Sequence, residues 1–233
     1  MRKGIFYSVG IGPGDPELIT LKAIRILRKC SVVAAPQTKS GEMLALSIAR
    51  QAVNLEDKQV LPLQFTMSRN RKEQQAAHFK AAQKVKNYLD LGQDVAMLNL
   101  GDVSIYATAS YLAQILQEDG YETKMVPGVT SFCAVAARLN LSLTDMDTPV
   151  HIIPGSSQEA LSKSLEMPGT KVLMKSGRQL PEVLEQLEKS GKLKASAMVC
   201  NCGLADEQVY QDLSKFPVEQ QAGYFATIVV KED

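Results

Sequence analysis

Three glycines and an acid follow the first apolar run: "GIFYSVGIGPGDPELIT" sets Gly10, Gly12, Gly14 and Asp15 directly behind a stretch of strand length. Glycine loops in this position commonly cradle nucleotide phosphates, and two such chemistries can be checked residue by residue. A P-loop needs Lys and then Ser or Thr behind its last glycine, and neither stands there. A dinucleotide loop needs glycine at its first, third and sixth places; the sixth here is Asp15, whose charge repels a pyrophosphate. The second apolar run, "VVAAPQT", also ends without the acid that a ribose hydroxyl would bind. Pro16 keeps Asp15 out of the helical region, so no helix begins directly at the loop. A nicotinamide or ATP site is therefore disfavoured. The loop either serves another ligand class or is a tight strand-to-helix turn without a ligand.

Two more loops carry polar groups after apolar runs. In "NLGDVSIY", Gly101 allows close backbone approach, and Asp102 either accepts hydrogen bonds from a ligand's hydroxyl or amino groups or caps the turn behind it. In "VPGVTSFCAVAARL", Pro127 and Gly128 turn the chain, and Thr130 or Ser131 caps a helix of small residues suited to close packing or to a flat ligand. Cys200 and Cys202 alternate on a strand and so face opposite ways, with no second pair or nearby histidine to complete a zinc site. His78 sits in a polar helix and reads as solvated, and His151 is remote from it in sequence. "SRNRK", residues 68–72, concentrates three cations that are either a solvated surface or a grip on carboxylates.

The elements that position these loops alternate in type. Strand-length runs ("GIFYSVG", "SVVAAP", "KQVLPL", "DVAMLNLG", "ETKMVPG") are separated by helix-period segments, the first with Thr20 as N-cap and Leu21, Ile24 and Leu27 on one face. This predicts a mainly parallel sheet with helices on both faces, whose ligands bind at the carboxyl ends of the strands. All three loops lie there. Beyond residue 131, "VHIIPGS", "TKVLMKS", "ASAMVCNC", "EQVYQDL" and "YFATIVVK" read as strands, with helices near 157–166 and 180–190. The last strands succeed one another without a helix, so part of that sheet must be antiparallel. The expected architecture is α/β with two domains, 1–131 and 132–233, the first sheet mainly parallel and the second mixed.

The chain has 233 residues and a formal net charge of +1, which leaves no global field for nucleic acid or an anionic membrane. No run of about 18 apolar residues predicts a membrane span, and the start "MRKGIFYSVG" lacks the apolar region of a signal peptide. A cytoplasmic protein is expected, with Cys30, Cys133, Cys200 and Cys202 reduced.

Taken together in order and spacing, "VGIGPGDPELITLKAIRIL", the "GD" loop before "SIY", "VPGVTSF", "VLMKS" and "YFATIVV" resemble the tetrapyrrole (precorrin) methyltransferases over essentially the whole chain. Within that family, "LQFTMSRNR", "LGDVSIYATASYL" and "VPGVTSFCAVAARL" are most similar to the enzymes that methylate C20 of precorrin-2 or cobalt-factor II. The resemblance implies an active site in a cleft between two α/β domains, S-adenosylmethionine as methyl donor, a tetrapyrrole substrate, a homodimer and no protein-bound metal. It places donor contacts on Pro13, Leu100, Gly101, Asp102, Ile105, Thr130, Ser131 and Met174, and an adenine pocket at Cys202, Leu204, Ala226 and Thr227. Asp15 and Tyr106 become the candidates for a base, and Lys39, Arg69 and Arg71 the candidates for the substrate's carboxylates. The sequence departs from the family in two places. Val103 stands where many members have proline after "GD", and Pro36 stands where the methylases of uroporphyrinogen have an aspartate, which argues against that reaction. The alternatives kept open are methylation at another position of a corrin precursor, an NAD-dependent oxidoreductase, and a non-catalytic tetrapyrrole-binding protein.

Overall fold

The computed structural model describes residues 2–66, 68, 70–217, 222, 223 and 225–231. It divides into two compact units, Met1–Thr130 and Ser131–Asp233, each built around its own five-stranded sheet.

In the first unit the strands β1 (Phe6–Gly10), β2 (Val32–Gln37), β3 (Gln59–Gln64), β4 (Val95–Asn99) and β5 (Thr123–Val126) alternate with the helices α1 (Leu21–Lys29), α2 (Leu44–Ala52), α3 (Arg71–Leu89) and α4 (Thr108–Glu118). All strand pairs are parallel, in the order β3-β2-β4-β1-β5. β1 and β4 are buried along their whole length, as the central strands of a sheet covered on both faces must be. On one face Phe6, Val32, Leu63 and Met97 pack against Ala81, Val85 and Leu89 of α3 and Leu112 and Leu116 of α4. Thr20 caps α1 as expected, accepting the Ala23 N–H at 3.1 Å. The buried face of α1 is set by Ala23 and Leu27, however, and Leu21 is 86% exposed, so the apolar stripe expected at Leu21, Ile24 and Leu27 is shifted.

The strand order creates a switch point. From β1 the chain runs through α1 to β2, on one side of the sheet order, while from the neighbouring β4 it runs through α4 to β5, on the other. The two connections leave adjacent strands in opposite directions, and ligands of open α/β sheets bind at the carboxyl ends of strands at such a switch point.

In the second unit α5 (Ser131–Arg138) precedes β6 (Val150–Pro154), α6 (Gln158–Leu165), β7 (Thr170–Met174), α7 (Leu180–Lys189), β8 (Ser196–Cys200), β9 (Gln208–Tyr210) and β10 (Ala226–Val230). The order is β6-β7-β10-β8-β9, with β6 parallel to β7 and the other pairs antiparallel. The sheet is mixed, as the uninterrupted late strands require. One face holds Leu161, Leu165, Val183 and Leu187 against Leu173, Met198 and Ile228; the other holds Val135 and Leu139 against Ala197, Val199 and Val229.

Candidate active site

The three loops singled out in the first unit meet above β4, β1 and β5. Gly12 and Gly101 form an isolated antiparallel bridge: the Gly101 N–H donates to the Gly12 carbonyl at 2.8 Å and the Gly12 N–H to the Gly101 carbonyl at 3.3 Å. Both glycines have positive φ, 77° and 69°, a conformation costly for other residues. A Cβ on Gly128 would lie 2.3 Å from the Gly101 carbonyl oxygen and 2.8 Å from the Gly10 carbonyl carbon, and one on Gly10 would lie 2.7 Å from the Gly128 nitrogen. The glycines therefore serve backbone-to-backbone contact. No phosphate cradle is needed to explain them.

Asp102 fastens this junction. One carboxylate oxygen accepts the Ser104 N–H at 2.8 Å and the Ser104 hydroxyl, and the other accepts the Gly128 N–H at 2.8 Å, tying the second loop to the third. Burial pushes the carboxyl pKa up, but these hydrogen bonds outweigh it and hold the group below the usual carboxylate range. Of the two roles open to Asp102, the geometry favours loop capping for its carboxylate, while the Asn99 amide donates to the Leu100 and Asp102 carbonyls at 2.8 and 3.2 Å. Asp15 is extended, with φ −70° and ψ 121°, as Pro16 requires, and its carboxylate caps the short 3-10 turn Pro16–Leu18 by accepting the Glu17 N–H at 2.8 Å. Tyr106 is partly exposed with φ 49°, an uncommon conformation for a bulky residue, and partial burial raises its phenol pKa. Pro13, Leu100 and Ile105 are half-buried around the junction. The Thr130 Oγ1 is buried without a hydrogen-bond partner, which in a native protein calls for an explanation such as a ligand.

In the second unit the remaining candidates also share one sheet edge. Met174 ends β7 opposite Thr227 of β10 and Pro154 of β6, while Ala226 pairs with Cys200 at the end of β8. Ser131 opens α5, and Cys202 and Leu204 lie half-buried in the turn behind β8. Glu207 accepts the Gly203 N–H at 2.8 Å and is ion-paired with Arg138, which fixes that turn. Two residues that sequence reasoning missed stand here: Lys175 (φ 59°) and Asn201 (φ 52°), non-glycines in left-handed conformation directly behind β7 and β8. Burial lowers the Lys175 pKa. Nothing in "VLMKS" or "VCNC" signals those left-handed conformations.

Among the substrate-side candidates, Lys39 is exposed in the loop after β2, Arg71 is exposed at the start of α3 behind its N-cap Asn70, and Arg69 lies outside the described residues. His78 is not solvated as expected: it stacks on Tyr111 at 4.7 Å and packs near Phe65 at 5.9 Å, and burial lowers its pKa. Cys30 and Cys200 are buried free thiols, Cys30 pushed up to about 12. Among the described residues, no group of three or more His, Cys, Asp and Glu could hold a metal ion, and no helix is long and apolar enough to cross a membrane.

Residues 6–216 match the pattern that defines the tetrapyrrole (corrin/porphyrin) methylases; the chain belongs to that family. It is 31% identical over 231 residues to a cobalt-precorrin-2 C(20)-methyltransferase of Salmonella typhimurium, covering 98% of this chain and 97% of that protein. It is 33% identical over 171 residues to a probable cobalt-precorrin-2 C(20)-methyltransferase of Methanocaldococcus jannaschii, covering 72% and 71%. A solved structure of a cobalt precorrin-4 methyltransferase superposes with a TM-score of 0.75 at 21% identity, covering 97% of this chain and 94% of that one, and shares the fold.

Proposed function

We propose that the protein transfers the methyl group of S-adenosylmethionine to C20 of precorrin-2 or its cobalt form in cobalamin biosynthesis. The observation that carries this reading is the match of residues 6–216 to the tetrapyrrole methylases, and the unpartnered buried hydroxyl of Thr130 supports a ligand at the strand ends. The names of the relatives at 31% and 33% identity support the position methylated.

The donor brings an already activated methyl group, so the chain's task is alignment. Positioning of this kind supplies about 7–11 kcal/mol in favourable cases. In the first unit the proposed donor contacts are Pro13, Leu100, Gly101, Asp102, Ile105 and Thr130; in the second unit, taken by itself, they are Ser131, Met174, Cys202, Leu204, Ala226 and Thr227. Asp102 acts in this set chiefly through its backbone, since its carboxylate is engaged by Ser104 and Gly128. Thr130 offers a hydroxyl with no competing partner, and the polarizable thioether of Met174 suits an adenine face. Of the two candidates for receiving the C20 proton, Asp15 is the better base. The Tyr106 phenol, raised by burial, stays protonated at neutral pH and donates instead. Lys39, Arg69 and Arg71 take substrate carboxylates. A cytoplasmic homodimer completes the reading, and light scattering should return twice the chain mass.

The test is donor binding and turnover on the same protein. S-adenosylhomocysteine should bind while NADH does not, and radiolabelled methyl should pass to precorrin-2, to its cobalt form, or to both. NADH binding in place of S-adenosylhomocysteine would return the oxidoreductase reading. Donor binding without transfer to either substrate would leave a methylase of another position or a binding protein.

A further inference from the structure

A cavity of about 290 Å³ opens beside the carboxyl ends of β2 and β3, roofed by α3. Its floor is apolar, with Leu63, Phe65 and Ala81, and its rim carries Lys39, Lys80 and Lys84. No Asp or Glu lines it, and none of the three ammonium groups is ion-paired among the described residues. Lys80 and Lys84 are one helical turn apart, and the positions three and four residues away on either side hold Ala76, Ala77, Ala81, Gln83, Asn87 and Tyr88 but no acid. Like charges at this spacing destabilise a helix by a few tenths of a kcal/mol. Among the described residues no ion pair offsets that repulsion, and an anion in the cavity would.

We propose that this cavity is the subsite for one carboxylate-bearing side arm of the tetrapyrrole, with Lys80 and Lys84 joining Lys39 on the carboxylate and the apolar floor receiving the arm's methylenes. The proposal rests on the methyltransferase reading above. Size and place support an arm rather than a whole ligand. The volume falls at or just below the lower end of small-molecule pockets, about 300 Å³, too small for a macrocycle. The cavity sits at the same edge of the sheet as the glycine junction. Gln37 and Gln64, the paired last residues of β2 and β3, line it, whereas the junction stands above β4, β1 and β5. Two to three strand spacings separate them, about 10–14 Å, a span suited to a ring whose C20 edge meets the junction and whose arm reaches the cavity. Sequence reasoning passed over both lysines because each sits in a polar stretch of α3 that reads as a solvated face.

The test uses the full chain and uroporphyrin, a stable porphyrin carrying carboxylate arms, as the binding probe. K80Q/K84Q keeps helix propensity nearly constant and removes both charges. Uroporphyrin affinity should fall about 2–30-fold, as expected for two charge contacts at an exposed site. Its dependence on salt should flatten, K80R/K84R should restore affinity, and S-adenosylhomocysteine affinity should stay within twofold of wild type. Unchanged uroporphyrin affinity and salt dependence in K80Q/K84Q, with S-adenosylhomocysteine still bound, would overturn the subsite while leaving the methyltransferase reading intact. A wild-type protein that binds neither probe would overturn both.

Discussion

Replacing Asp102 by Asn preserves the size of a buried side chain and removes its charge. The amide oxygen can still accept from the Ser104 N–H and hydroxyl, but the amide nitrogen then faces the Gly128 N–H, donor against donor, where 2.8 Å now separates donor from acceptor. One charge-assisted hydrogen bond is lost, about 1.5–3 kcal/mol, and the two Ser104 bonds fall from charged to neutral strength. The expected destabilisation is about 2–4 kcal/mol, a large share of the stability of a typical domain. Urea unfolding followed by far-UV circular dichroism measures it, since the chain has no tryptophan. The sign with pH follows from the depressed carboxyl. Its contribution is present above the ordinary value of 3.8 and is lost as pH falls through the lower folded-state value, so wild type and D102N should converge in acid. Because the same carboxylate holds the Gly101 loop against Gly128, S-adenosylhomocysteine affinity should fall as well, by about tenfold or more. Loss of affinity with an unfolding free energy within about 0.5 kcal/mol of wild type would refute this reasoning, since the carboxylate would then serve the ligand and not the loop.

Gly128→Ala places a Cβ 2.3 Å from the Gly101 carbonyl oxygen, with backbone on both sides, so the loops must part; a stability loss of about 1–3 kcal/mol or more and loss of measurable S-adenosylhomocysteine binding are expected by calorimetry. Thr130→Val removes a buried hydroxyl without a protein partner, so unfolding free energy should hold or rise by up to about 1 kcal/mol while S-adenosylhomocysteine affinity drops about 5–20-fold. His78, stacked on Tyr111, should titrate below its ordinary 6.5 by NMR; its neutral form is favoured in the fold, so its contribution is complete above 6.5 and is lost as pH falls through the lower value, and Tyr111→Ala should return the midpoint towards 6.5.

What could be read from residues alone divides along physical lines. The elements were legible because their signals are local: apolar runs such as "DVAMLNLG", the Thr20 cap, and Gly92 and Gly120 closing α3 and α4 with positive φ. The mixed second sheet was legible because β8, β9 and β10 follow one another without an α-helix. The three loops could be named as neighbours from the rule that sites gather at strand ends, but not their contact. Gly10, Gly101 and Gly128 touch only because the order β4-β1-β5 brings them together, and no spacing in the chain encodes that order. The same holds for the Asp102 bond to Gly128 and for the stacking of His78 on Tyr111. Leu21 was misplaced because a period of 3.6 defines an apolar stripe only to within a turn, and here Ala23 and Leu27 turn inward instead.

The proposed reaction sets a methyl group on one particular carbon of a corrin precursor. Incubation with carbon-13-methyl-labelled S-adenosylmethionine and precorrin-2 or its cobalt form, followed by NMR of the product, tests it most directly. A single enriched methyl bonded to C20 is the expected product. Enrichment at any other ring position, or none at all from a protein that retains its donor, would contradict it.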